Sequence, residues 1–211
     1  RVLKNMGMSL GYMVATPTLL SIVQSCKSEP AITWTPEFLA QNEGSVLSKL
    51  VDIILPKTDT PSATEVQVDI FIDKFAKDVM ETEQQDFLKM SMNKFIDKAL
   101  ADSGKEKAED LTTEDLEPVI ASSLKYTKEQ QAEMFETINS YTKAISEGTT
   151  TEIGDEISRF AFANNLRGMT IWGYKASEYV GEEVLAYLPV PGEYVPCGDL
   201  QELTGGKAWS L

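Results

Sequence analysis

Apolar side chains recur at three- and four-residue intervals along most of this chain, and that period argues against a strand-based fold before any other feature is weighed. Val46, Leu47, Leu50, Val51 and Ile54 form one such set, closed by Pro56. Val68, Phe71, Ile72, Phe75 and Val79 form a second, with Asp69, Asp73, Lys74 and Asp78 turned outward. On a helix of about 3.6 residues per turn these positions gather on one face, whereas a half-buried strand needs alternation at every second residue. No alternation of useful length occurs, and no internal repeat is visible.

Capping and breaking residues divide the rest. Residues 27–44 read as a linker with a short helical start, in which Thr35 caps, Pro36 takes the first helical position, and Phe38 and Leu39 follow. Lys57 to Ser62 read as a turn. Thr82 and Gln85 make a capping-box pattern ahead of Leu88, Met92, Phe95, Ile96 and Ala99, a helix ending near Gly104. The charged stretch 101–115 reads as a solvated loop, and Pro118 as a first-turn residue of a helix through Val119, Ile120 and Leu124. Thr127 and Gln130 cap a helix carrying Met134, Ile138, Tyr141 and Ile145 until Gly148. A last long helix is expected from Glu152 through Ile157, Phe160, Ala161 and Leu166 to Thr170 or beyond, with another turn over Val180 to Tyr187.

The expected fold is all-α: a single compact helical domain over 45–187, preceded by an N-terminal hydrophobic signal or anchor helix and followed by an irregular arm over 188–211. In that arm, Pro189, Pro191, Gly192, Pro196, Gly198, Gly205 and Gly206 exclude a long helix. The N-terminal segment, 1–26, starts with Arg1 and Lys4 and runs through about twenty uncharged residues from Met6 to Ser25. This is the layout of an export signal or membrane anchor, and Cys26 directly after Val23-Gln24-Ser25 makes it a lipidation candidate.

Charge and reactive residues narrow the function. With 33 acidic against 19 basic side chains the formal charge is −14, which repels nucleic acid. There is no histidine, so Ser-His and Cys-His nucleophiles and His-ligated metals have no basis here. The two cysteines, Cys26 and Cys197, cannot hold an iron–sulfur cluster by themselves. They are disulfide candidates, with each other or with a partner chain. Neither catalytic, nor cofactor-binding, nor metal-ligating residues are assigned, so no cofactor is expected in this chain. The phosphate-loop likeness of Gly198 to Ala208 fails, because Gln201 stands in place of the first glycine and Ala208 in place of the metal-binding hydroxyl residue.

Trp172, Tyr174, Tyr179, Tyr187, Tyr194 and Trp209 cluster in the last 40 positions among prolines and glycines. Large aromatics of this kind anchor protein interfaces, so these six are the partner-contact candidates. The other reading is that the arm folds back over its own helices.

Two blocks carry a resemblance. The first is Leu50-Val51-Asp52-Ile53-Ile54-Leu55-Pro56-Lys57-Thr58-Asp59-Thr60-Pro61-Ser62-Ala63, continuing to Phe71-Ile72-Asp73. The second is Thr170-Ile171-Trp172-Gly173-Tyr174-Lys175-Ala176-Ser177-Glu178, then Leu185-Ala186-Tyr187 and Pro191-Gly192 before Cys197. In this order they resemble the gluconate 2-dehydrogenase subunit 3 family, the small subunit of membrane-bound sugar and polyol dehydrogenases. Ser62 stands where that family usually has glycine, and Lys175 where an aromatic is frequent.

The resemblance implies a large flavoprotein partner of the glucose-methanol-choline type that holds FAD, often joined by a multihaem cytochrome c. It also implies a twin-arginine export signal at the N-terminus, with Arg1-Val2-Leu3-Lys4 as the tail of that motif, and a membrane-associated periplasmic location. The expected role is a non-catalytic escort and stabilising subunit. Asp59 and Thr60 are then helix-capping structure. A stand-alone envelope lipoprotein acting as a binding or scaffolding module is the alternative.

Overall fold

The computed structural model describes residues 34–149, 151–188, 190, 192 and 197–210. The expectations for the N-terminal segment, Cys26 and Tyr194 fall outside that set. Among the described residues seven α-helices follow one another: α1 (Gln41–Ile54), α2 (Val68–Asp78), α3 (Thr82–Ser103), α4 (Thr113–Leu124), α5 (Lys128–Ser146), α6 (Asp155–Ala176) and the short α7 (Leu200–Thr204). Single turns of 3₁₀ helix sit at Thr64–Val66 and Ala108–Asp110, and a π turn at Val180–Val184. The described residues hold no strand, only an isolated parallel bridge between Ala186 and Trp209. The all-α reading is therefore correct. Among the described residues no helix is long and apolar enough to cross a membrane.

Helix α6 is the axis of the domain, because α1, α2, α3, α4 and α5 all pack against it. Its sequence suits that position. Phe160, Phe162, Ala163, Leu166 and Met169 are all buried, and they spread around the helix instead of keeping to one narrow stripe. Phe162 meets Phe95 of α3 with ring centroids 5.2 Å apart. Val46, Leu47, Leu50 and Val51 of α1, Val68 and Ile72 of α2, and Leu116, Val119 and Ile120 of α4 close the core around it.

Several boundaries differ from the sequence-based expectation, some through distant contacts and some through local caps. No helix forms over Thr35 to Leu39; the strap there is held by Asp73 of α2, which accepts the backbone N–H groups of Glu37 at 2.7 Å, Leu39 at 2.9 Å and Phe38 at 3.3 Å. Helix α1 begins only at Gln41, where Glu43 accepts the N–H of Ala40 at 2.8 Å. Thr82 and Gln85 do not cap α3. Gln84 accepts the Glu81 N–H at 3.1 Å, while Gln85 reaches back and donates to the carbonyls of Ala76 at 2.8 Å and Met80 at 3.1 Å, satisfying the end of α2.

The 101–115 stretch is not a plain solvated loop. Gly104 ends α3 in the left-handed conformation at φ 70°, and the chain then turns inward to bury Ala108 and Leu111 against α1. Lys49 of α1 donates to the Leu111 carbonyl at 2.5 Å. Pro118 is not in the first turn of α4, because Thr112 starts that helix earlier by donating its N–H and hydroxyl to Asp115 at 2.8 and 3.0 Å. The proline stands exposed and forgoes one internal hydrogen bond. The Thr127–Gln130 capping box forms as expected, with both reciprocal bonds in place.

The ammonium of Lys105, 2.6 Å from Asp115, and the Thr112 N–H hold that carboxyl below its ordinary pKa. A lowered folded-state pKa contributes stability that is complete above the unfolded carboxylate value, about 4, and is lost as pH falls through the folded value. Asp115→Asn lacks this contribution at every pH. The stability difference between wild type and variant, measured by urea unfolding at pH 6 and at successively lower pH, is therefore expected to shrink on acidification. A gap that widens would contradict the assignment.

Candidate partner interface

The two sequence blocks meet in space. Residues 50–73 form the end of α1, the following turn and the first half of α2, while residues 170–176 form the end of α6. Gly173 is buried where α2 crosses α6: a Cβ placed there would lie 2.7 Å from Phe71 Cδ1 and 3.4 Å from Val68 Cγ1. The neighbouring Tyr174 donates its hydroxyl to the Pro61 carbonyl at 2.8 Å. Trp172 sets its ring edge-on to Phe71 and Phe75, with centroids 5.0 and 5.3 Å apart. The pattern that marks both blocks is therefore a packing seam.

The turn between α1 and α2 is capped differently from the expectation. Asp52 accepts from the N–H and hydroxyl of Thr64 at 2.9 and 2.7 Å, and Glu65 accepts from the Ser62 N–H at 2.9 Å. Asp59 is exposed and Thr60 hydrogen-bonds Thr58 across the turn, so among the described residues neither caps a helix. Ser62, where the resemblance implies glycine, is buried and hydrogen-bonds Thr64 at 3.2 Å.

The aromatic candidates separate by position. Trp172 is 44% exposed on α6, next to the exposed Ile171, and so presents one face while packing the other. Tyr174 is committed to the seam through its hydroxyl and its packing on the core. Tyr179, just beyond α6, is 54% exposed. Tyr187 and Trp209 lie where the arm returns: the Ala186 N–H donates to the Ala208 carbonyl at 2.8 Å, and the Ser210 N–H to the Ala186 carbonyl at 2.9 Å. The arm thus folds back, yet Tyr187 and Trp209 each stay about half exposed. Cys197 is exposed on this arm.

A second feature was missed from the sequence. Between α3, α5 and α6 lies an open groove of about 910 Å³. It exists because α5 has no buried residue and leans more on α6 than on α3. Met134, Ile138, Tyr141 and Ile145 are consequently only half-buried. Phe87 and Tyr141 meet across the groove with ring centroids 5.4 Å apart, and Met90, Met169 and Trp172 add to its apolar lining. The available signal was Phe87 and Met90, which stand a quarter-turn or more from the core stripe of α3 and make a second apolar face.

Among the described residues no three His, Cys, Asp or Glu side chains gather as a metal site requires. Fold and groove together define an all-α domain built on one central helix, with an apolar cleft open on one flank. The family pattern described as gluconate 2-dehydrogenase subunit 3 matches residues 41–192, well over half of the 211, and the chain belongs to that family of dehydrogenase subunits. No curated protein and no solved structure matches it.

Proposed function

We propose that this chain is the non-catalytic small subunit of a periplasmic, membrane-associated flavin dehydrogenase of the glucose-methanol-choline type. It escorts the flavoprotein through export by means of its N-terminal segment and stabilises it afterwards. FAD belongs to the partner chain, and haem c to a cytochrome subunit where one is present.

The observation that carries this reading is the family match over the helical body. It is supported by the half-exposed rings of Trp172, Tyr179, Tyr187 and Trp209, which offer large areas for burial at low rotamer cost. The catalytic residues and the sugar or alcohol pocket are assigned to the partner, so this chain's contribution is contact.

Co-expression with a flavoprotein of that type from the same genome and purification from membranes tests it. The two chains are expected to co-elute with the absorption spectrum of bound flavin, and deletion of residues 1–26 is expected to leave the flavoprotein in the cytoplasm. Tightly bound flavin on the isolated small chain, or turnover of an alcohol or sugar substrate without a partner, overturns the proposal.

A further inference from the structure

The groove between α3, α5 and α6 has a charge pattern that membership of the family does not explain. Its walls are apolar, with Phe87 and Met90 on one side and Tyr141 and Ile145 on the other. The ionisable groups on its lining, apart from the Tyr141 phenol, are the carboxyl groups of Glu81, Glu83 and Asp86, all exposed at the start of α3, and no Lys or Arg joins them. Among the described residues none of the three takes part in an ion pair.

That combination selects among occupants. An anionic bilayer surface is repelled by the three carboxylates that line the groove. A second copy of this chain, with formal charge −14, is repelled in the same way. A segment with large apolar side chains and Lys or Arg beside them satisfies both parts of the lining. The lining comes from helices, and a further helix can seat its side chains over the ridges that they present. Met90 and Met169, unbranched and polarizable, can adapt to the side chains that enter.

We infer that the groove receives an amphipathic helix of the flavoprotein subunit, its apolar face on Phe87, Met90, Tyr141 and Ile145 and its Lys or Arg residues against Glu81, Glu83 and Asp86. This rests on the reading of the chain as a flavoprotein's small subunit, and it names the contact.

The test uses the complete complex purified from membranes, with Met90 replaced by the photo-cross-linker p-benzoylphenylalanine and the cross-linked peptide identified by mass spectrometry. The expected product joins position 90 to a flavoprotein peptide that has apolar residues three and four apart and a Lys or Arg within one turn. Cross-links to lipid, to a second copy or to residues 1–33 of this chain, or no cross-link in a preparation that contains the flavoprotein, overturn the inference and leave the proposed function standing. A preparation without flavoprotein overturns both. As a second measurement, the double reversal Glu83→Lys with Asp86→Lys is expected to weaken association about ten-fold at low salt and to flatten its salt dependence. Unchanged affinity in that variant also refutes the inference.

Discussion

Replacing Asp73 with alanine is expected to lower the unfolding free energy by about 3–5 kcal/mol and to release the strap that precedes α1. The carboxylate is 1% exposed and accepts three consecutive backbone N–H groups, from Glu37, Phe38 and Leu39, at 2.7 to 3.3 Å. A hydrogen bond to a charged group contributes about 1.5–3 kcal/mol, and a buried donor left without a partner costs its full desolvation. The three bonds share one carboxylate, so their effects do not simply add. Asp69, one turn earlier, extends the clamp by accepting from the Trp34 indole at 2.9 Å and the Ser48 hydroxyl at 2.6 Å. Asp73→Asn keeps one acceptor oxygen and is expected to lose about half as much. Urea unfolding at pH 7 measures the energy, and limited proteolysis followed by mass spectrometry shows whether cleavage moves into residues 34–40. An alanine variant within 1 kcal/mol of wild type, resistant to cleavage there, would show that the strap is held by something else.

The second large effect is expected at Gly173. A methyl group there meets the edge of the Phe71 ring at 2.7 and 3.0 Å, inside contact distance, so either the ring or the helix must move. The ring has little freedom, because Trp172 and Phe75 hold it at centroid distances of 5.0 and 5.9 Å. Gly173→Ala is expected to destabilise by about 1–3 kcal/mol, the range for overpacking a close-packed site, and Gly173→Val by more. The strain also loads the Tyr174–Pro61 bond one residue away. Trimming the obstacle tests the cause: in the double variant Gly173→Ala with Phe71→Leu, the loss is expected to be smaller than the sum of the single losses. Strict additivity in that cycle would rule out the contact with Phe71 as the origin.

What could be read from the chain followed the range of the interactions. The stripe Val68, Ile72 and Phe75 and the box Thr127–Gln130 are local patterns, and they fold as their spacing dictates. The strap over Thr35 to Leu39 is not local. Its fate depends on Asp73, more than thirty positions away, whose spacing among Asp69, Lys74 and Asp78 looks like an ordinary solvated face. Gln85 is similar: its spacing from Thr82 fits a cap, but the carbonyls left open at the end of α2 are nearer to it. The groove was hidden for another reason. A helical stripe such as Met134, Ile138, Tyr141 and Ile145 records that a side is apolar, and the same four residues serve whether the neighbouring helix closes over them or stands away.

The seam at Gly173 bears on what inheritance of this fold conveys. Positions 61, 71, 172, 173 and 174 constrain one another through contact, so a viable change at one is expected to be accompanied by an answering change at another. What these positions record is then a joint between helices. A joint of that kind can stay intact while the surfaces on either side of it change, so the seam by itself does not foretell a substrate.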